Sequence, residues 1–327
     1  MRSSRPFCAV LLSLCLLFSS CSRRESSQLW TWNLLGTVCS VNALGDGDER
    51  LRTAIGGRLE EIDSLFSVNR PESDVSRVNA AAGKARVVVS PEVFFVLEAA
   101  LDFARKSGGS FDPTVGPLVT LWGIGTDHEK VPSQAELDAA LALVDWRKVS
   151  LDAADRSVFL EDEGMALDLG GIAKGYAADE LARILRERKS RRAIVDLGGN
   201  VYLFGSKKDG SAWNVGIKNP ADGGSTVAAV LPLAGGRSVV TSGAYERFFI
   251  SGGRRYHHII DPKTGFPSEG EVASATIVSP SSMEADAMST SAFIMGMEAF
   301  VRAFPSVSCV FIFADGGIYA SEDLSLS

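Results

Sequence analysis

Two of the chain's three histidines, His257 and His258, stand side by side at the end of a strand-like run. An Asp-Pro-Lys-Thr-Gly turn at 261–265 follows at once, so an imidazole sits next to a tight, rigid loop that carries a carboxylate. That pairing suits general acid–base work, with Asp261 three residues on to orient a His258 ring. Two readings stand open from the local sequence. One is a base that takes a proton from a hydroxyl; the other is a histidine that only braces a hairpin.

Residues 284–290 read Glu-Ala-Asp-Ala-Met-Ser-Thr. On a helix, Asp286, Ser289 and Thr290 fall on one face. A carboxylate with hydroxyl oxygens is a hard donor set that suits Mg²⁺, an ion that keeps few protein ligands and bridges phosphates. The alternative is a capped, solvated helix start. Residues 167–179 run from a buried Leu167–Leu169 strand through Gly170 and Gly171 into a helix. Glycines admit a close ligand, and free N–H groups at a helix start suit a phosphate, with Lys174 adding positive charge. The spacing matches neither a P-loop nor a dinucleotide fingerprint, and a plain structural turn reads equally well. The apolar, glycine-rich run at 111–125 is either a wall for a planar ligand or a buried loop. A second strand-to-turn run ends in Asp196-Leu-Gly-Gly-Asn200.

The elements that must hold these groups are legible in outline. Residues 30–41 read as a strand and 49–66 as a helix. Ser90 and Pro91 start a helix that runs to Lys106, and Ser133 with Glu136 forms a capping box. A helix is expected over 176–188, then strands at 193–197, 201–204, 213–217, 227–233, 237–241 and 273–279. A helix over 282–295 stops at Gly296, and 307–313 pairs with 317–320. This order predicts an α+β fold with mixed or antiparallel sheets and flanking helices.

The chain has 327 residues, 46% hydrophobic and 22% charged, a globular composition. Residues 1–20 read as a lipoprotein signal peptide: Arg2 and Arg5, an apolar run from Phe7 to Phe18, then Ser19 and Ser20 before Cys21. Cys21 is the expected lipidated residue, residues 21–29 a polar tether, and 30–325 the folded domain. An ordinary cleaved signal with an incidental cysteine is the alternative. Removing Arg2 and Arg5 takes the net charge from −7 to −9. An acidic body without a basic stripe argues against nucleic acid as a partner. Cys39 and Cys309 both lie in apolar runs, as buried thiols or, alternatively, as a disulfide. No Cys/His cluster suggests zinc.

In order along the chain, these blocks resemble the ApbE family of FAD:protein FMN transferases. The matching pieces are Leu-Gly-Thr at 35–37, Ser-Asp-Val-Ser-Arg-Val-Asn at 73–79 and Phe-Asp-Pro-Thr-Val-Gly-Pro-Leu-Val at 111–119. Leu-Gly-Gly-Ile-Ala-Lys-Gly-Tyr-Ala at 169–177, Gly-Gly-Asn at 198–200 and Thr-Ser-Gly at 241–243 follow. His-Ile-Ile-Asp-Pro-Lys-Thr-Gly at 258–265 and Ala-Asp-Ala-Met-Ser-Thr at 285–290 complete the set. The resemblance covers about residues 30–320.

It implies a T-fold-like architecture and a periplasmic enzyme anchored to the membrane by an N-terminal lipid. Such an enzyme takes FAD as substrate, uses Mg²⁺ to break the pyrophosphate, passes FMN to a Thr or Ser hydroxyl of a redox protein and releases AMP. By motif position the metal ligands are Asp286, Thr290, Ser289 and the carbonyl of Ala173. The FAD contacts are Leu35, Ser67, Val68, Asn69, Ser110, Phe111, Asp112, Gly170, Tyr176 and Ile260. His258 is the base. His257, its neighbour on a strand, faces the opposite side. Two positions depart from the family pattern. Leu35 stands where methionine is usual, and Ser67-Val68-Asn69 lacks the usual aromatic, often tyrosine. A base stacked on an aromatic ring gains about 1–3 kcal/mol in nucleic-acid complexes. A site without that ring holds FAD more loosely and releases FMN to water as well, which is FAD pyrophosphatase activity. A flavin-binding lipoprotein without chemistry is the competing class.

Overall fold

The computed structural model describes residues 27–327, so the expected signal peptide and Cys21 lie outside the described residues. A hairpin of β1 (Ser27–Leu34) and β2 (Thr37–Leu44) opens the fold, followed by α1 (Glu49–Phe66), α2 (Asp74–Ala80), β3 (Val87–Val88) and α3 (Pro91–Lys106). Then come α4 (Gly116–Trp122), α5 (Gln134–Leu141), β4 (Val149–Asp152), β5 (Ser157–Leu160) and α6 (Ala173–Glu187). Strands β6 (Ala193–Leu197), β7 (Asn200–Phe204), β8 (Trp213–Lys218), β9 (Val227–Leu233) and β10 (Arg237–Gly243) follow. Hairpin β11 (Phe248–Ser251) and β12 (Arg254–His257) leads to β13 (Val272–Ser279). The last elements are α7 (Ser282–Met295), α8 (Met297–Ala303), β14 (Ser308–Phe313) and β15 (Ile318–Ala320).

Eight strands form one antiparallel sheet in the order β1-β2-β6-β7-β10-β13-β14-β15. Alternation along β6 explains its two faces. Ala193, Val195 and Leu197 join Ile55, Leu59, Leu97 and Leu181 in a core under α1, α3 and α6. Ile194 packs on the other side, where the β8–β9 hairpin covers the sheet with Trp213, Ile217 and Leu231. A further cluster, Ile277, Phe293, Phe300 and Phe311, sits between β13, β14 and helices α7 and α8. The expected α+β class holds.

Two expected elements differ. Residues 30–41 are a hairpin and not one strand, because Leu34 pairs with Thr37 and leaves Leu35-Gly36 as the turn. Both turn residues have positive φ, 55° and 67°, as a two-residue hairpin loop requires. Gly36 takes that conformation freely; for Leu35 it costs roughly 1–2 kcal/mol. Residues 167–169 are not a strand. The Asn79 side chain occupies the place of a neighbouring strand, its Nδ2 donating to Leu167 O (3.0 Å) and its Oδ1 accepting from Leu167 N (2.7 Å). The expected caps are present: Ser90 accepts from Val93 N, and Ser133 and Glu136 form the capping box. Cys39 and Cys309 are both free and buried, which removes the disulfide alternative. Burial pushes each thiol up to about 11.

Candidate active site

The site is built where α6 meets α7, and Gly175 makes the meeting possible. A Cβ there would stand 2.4 Å from the Ser282 carbonyl oxygen, so only glycine lets the helices approach this closely. One turn further along α6, the Asp179 carboxylate accepts from Ser282 N (2.8 Å), Met283 N (3.0 Å) and Ser281 Oγ (3.0 Å). It thereby satisfies the free N–H groups at the start of α7. With the helices locked this way, the buried Asp286 accepts from Gly175 N at 2.9 Å. Lys174 Nζ lies 3.7 Å from its other oxygen and donates to Gly170 O at 2.6 Å. Burial raises the proton affinity of Asp286, and Lys174 and the Gly175 N–H oppose that rise.

Thr290 lies one turn beyond Asp286. A Cβ on Gly171 would be 3.4 Å from Thr290 Oγ1 and 3.2 Å from the Phe111 ring, so these three residues converge on the glycine turn. Ala173 is the first residue of α6, immediately before Lys174. The donor chemistry fits Mg²⁺: hard oxygens, and one carboxylate held out of water with a single backbone donor. Among the described residues no group of three His, Cys, Asp or Glu gathers to hold a metal. Ser289 also ties α7 to its surroundings. Its hydroxyl donates to Asp286 O (2.9 Å) and bonds Ser242 Oγ of β10 (2.9 Å), which tethers α7 to the sheet.

The expected FAD contacts divide. Leu35 N donates to Asp63 Oδ1 (2.8 Å) and Arg70 pairs with Asp63 Oδ2 (2.8 Å), so Asp63 gathers Leu35 and the 67–70 segment at one corner. Ser67 is half-buried there, while Val68 and Asn69 are exposed. Thr37, beside that turn, rests against Gly198 of the β6–β7 turn. Gly170 is exposed on the glycine turn, and Ser110 Oγ lies 3.4 Å from Lys263 Nζ of the 261–265 turn. Three others make contacts within the protein. Asp112 accepts from Thr114 N and Oγ1 (2.8 and 2.6 Å) and from Trp146 N (3.2 Å), and its burial pushes the carboxyl up. Tyr176 accepts from Arg58 (2.9 Å) and packs between Phe66 and Phe95, on the α1–α3 side of α6. The Ile260 side chain is buried with Leu118, Trp122 and Leu137.

The two histidines separate cleanly. His257 is buried, with Nε2 bonded to Ser268 O (2.9 Å), Nδ1 accepting from Ile259 N (3.3 Å) and its ring edge-on to Phe293. Both nitrogens are engaged. His258 is half-buried, and its Nδ1 meets only a carbonyl, Arg247 O at 3.2 Å. Nδ1 must therefore carry the proton, which leaves Nε2 a lone pair for a hydroxyl. The expected Asp261 partner is not used: its carboxylate accepts from Lys263 N (2.9 Å) and shapes the turn. Desolvation, then Arg247, pushes the His258 imidazole down to about 3.

The sequence matches the family model described as the ApbE family over residues 35–311. The chain belongs to the ApbE family. It is 40% identical to the FAD:protein FMN transferase of Treponema pallidum, covering 99% of this chain and 96% of that one. It is 38% identical to one of the same description from Klebsiella pneumoniae, over 84% and 86% of the two chains. The solved ApbE protein of Thermotoga maritima superposes with a TM-score of 0.83 at 33% identity, covering 91% of this chain and 98% of its own. The flavin transferase ApbE of Vibrio cholerae gives 0.82 at 29% identity, over 91% and 98%.

Against that family frame, sequence reasoning passed over three residues. Asp179 caps α7 from a distant helix, a signal that lies only in tertiary contact. Arg247 supplies the carbonyl that fixes the His258 tautomer. Glu246 reaches solvent, but the protein around it raises its proton affinity, with Lys218, Lys174 and Arg247 opposing. Its Oε1 stands 3.1 Å from a Cβ built on Gly199, which links the β6–β7 turn to the Lys174 side of the site.

Proposed function

We propose that this chain cleaves FAD in an Mg²⁺-dependent reaction and transfers FMN to a Thr or Ser hydroxyl of a redox protein, releasing AMP. The Gly175–Asp286 hydrogen bond carries this reading, because it fixes a buried carboxylate at the N-terminal end of α6 beside an open glycine turn. A helix N-terminus next to such a turn suits the pyrophosphate of FAD. Asp286, Thr290 and the Ala173 carbonyl would hold the ion. When bound, Mg²⁺ supplies positive charge to the pyrophosphate oxygens as their bond breaks. Lys174 adds a second positive charge beside Gly170. His258 Nε2 takes the proton of the acceptor hydroxyl as that oxygen attacks the FMN phosphorus. The AMP phosphate leaves with the bond electrons. Arg247 O holds the ring so that Nε2 stays free. The relatives' shared description as FAD:protein FMN transferases supports the same reaction here. In this reading the protein works on the periplasmic side of the membrane, tethered by lipid at Cys21.

The test is to incubate the protein with FAD and Mg²⁺, follow AMP by chromatography, and add an acceptor protein carrying a candidate Thr. Covalent flavin fluorescence on the acceptor supports transfer. FMN that appears free whatever acceptor is offered marks a pyrophosphatase. No AMP in either case marks a flavin carrier. The hydrolytic reading has one observation in its favour: Val68 and Asn69 stand exposed at the Leu35 corner where the family pattern places an aromatic ring.

A further inference from the structure

Asn200 opens β7 and is fully buried, with no accessible surface. Its Oδ1 accepts from Ser282 Oγ at 2.6 Å. Ser238 Oγ lies 2.8 Å from the same Ser282 hydroxyl, so a chain of hydroxyls from β10 through α7 ends on this amide. The amide oxygen faces Ser282, so the NH₂ faces the other way.

Ser282 and Asp286 are four residues apart on α7, hence neighbours on one face. The amide of Asn200 therefore lies along the ridge that carries Asp286. Nδ2 meets no acceptor at strict hydrogen-bond geometry and is a buried donor without a partner. It is nonetheless near enough to Asp286 to favour that carboxylate's charged form. A buried amide N–H without an acceptor costs about 1–3 kcal/mol, so a fold that retains one at this point has a use for it.

We infer that Asn200 is a positioning residue for Asp286, spanning Ser282 and Asp286 so that the carboxylate is held in the rotamer that presents it to a divalent cation. The inference rests on the Mg²⁺ reading of the preceding subsection. Gly175 N holds one carboxylate oxygen from α6, and Asn200 restrains the group from β7. Asp286 is then approached from two elements, α6 and β7. Outer partners of this kind commonly change metal affinity by about 10–100-fold when removed.

The experiment uses Mn²⁺ alone, followed by electron paramagnetic resonance, with urea unfolding as a parallel measurement. Asn200→Asp keeps the shape and still accepts from Ser282, but turns an acceptor toward Asp286. It is expected to weaken Mn²⁺ binding by about tenfold or more. Ser282→Ala frees the amide to rotate and is expected to weaken binding less, in the same direction. It also keeps the test decisive if Asn200→Asp folds poorly. FAD binding in EDTA is expected to stay at the wild-type level in Ser282→Ala, which a general loss of structure would not allow. Wild-type Mn²⁺ affinity in a folded Asn200→Asp, or in Ser282→Ala, overturns the inference. A wild-type protein that binds neither Mn²⁺ nor Mg²⁺ refutes the metal reading itself, and with it this inference.

Discussion

Gly175→Ala tests whether the close approach of α6 and α7 makes the site. The new Cβ would lie 2.4 Å from Ser282 O, 2.6 Å from Met283 Cα and 2.7 Å from Ser282 C, all backbone atoms that no rotamer change can move away. The helices must part by roughly 0.6–1 Å, and overpacking of this kind costs about 1–3 kcal/mol. The parting also stretches the 2.9 Å bond from Gly175 N to Asp286, a bond to a charged group worth about 1.5–3 kcal/mol. Alanine in place of a helical glycine returns at most about 1 kcal/mol, so the net loss is roughly 1.5–5 kcal/mol. Gly57 in α1 is the control: it is exposed and a Cβ there meets nothing within 4 Å. Gly57→Ala should therefore gain up to about 1 kcal/mol by the same propensity. Catalysis should suffer beyond stability, since a misplacement of about 1 Å can cost roughly 100-fold in rate. The assay is urea unfolding of both variants beside AMP release at saturating FAD and Mg²⁺. A Gly175→Ala protein as stable and as active as Gly57→Ala would refute the reasoning.

Asp286→Ala should fold and lose Mg²⁺-dependent AMP release, and full activity in this variant would remove the metal assignment. His258→Ala should bind FAD as the wild type does and lose about 10²–10⁴-fold in single-turnover FMN transfer. His257→Ala should lose far less rate but unfold at lower urea, because it removes two buried hydrogen bonds; equal transfer by wild type and His258→Ala would exclude His258 from the mechanism. Both imidazoles stay neutral in the fold at pH values where a free histidine, with a pKa of about 6.5, takes up a proton. Stability should thus fall as pH drops below about 6.5 and be insensitive to these groups above it. His258→Gln should flatten that slope in urea midpoints measured between pH 7.5 and 5, and an unchanged slope would count against the buried neutral ring. Asn69→Tyr should shift product from free FMN toward protein-bound FMN when an acceptor is supplied; an unchanged ratio would reject the stacking explanation.

Much of this protein was legible in one dimension because the signals are local. The caps at Ser90 and Ser133, the stop at Gly296 and the strand alternation of 193–197 depend on neighbours within a few residues, and the structure places those elements as expected. The ordered blocks likewise identified the family, since each motif is a short run of residue types. The helix over 282–295 that carries Asp286 and Thr290 was likewise legible from local sequence. The tertiary structure decided the rest, because each remaining choice depends on which distant atom fills a donor or acceptor. Ser289 shares the Asp286 face in sequence, but Ser242 of a neighbouring strand takes its hydroxyl. Asp261 is three residues from His258, yet its own turn claims the carboxylate and Arg247 O orients the ring. Tyr176 lies in the glycine-turn motif, but Arg58 and two phenylalanines of α1 and α3 draw it to the other side. His257 and His258 differ by one strand position. A buried polar group must find its partner wherever the fold brings one, and that search runs across 327 residues, not along seven.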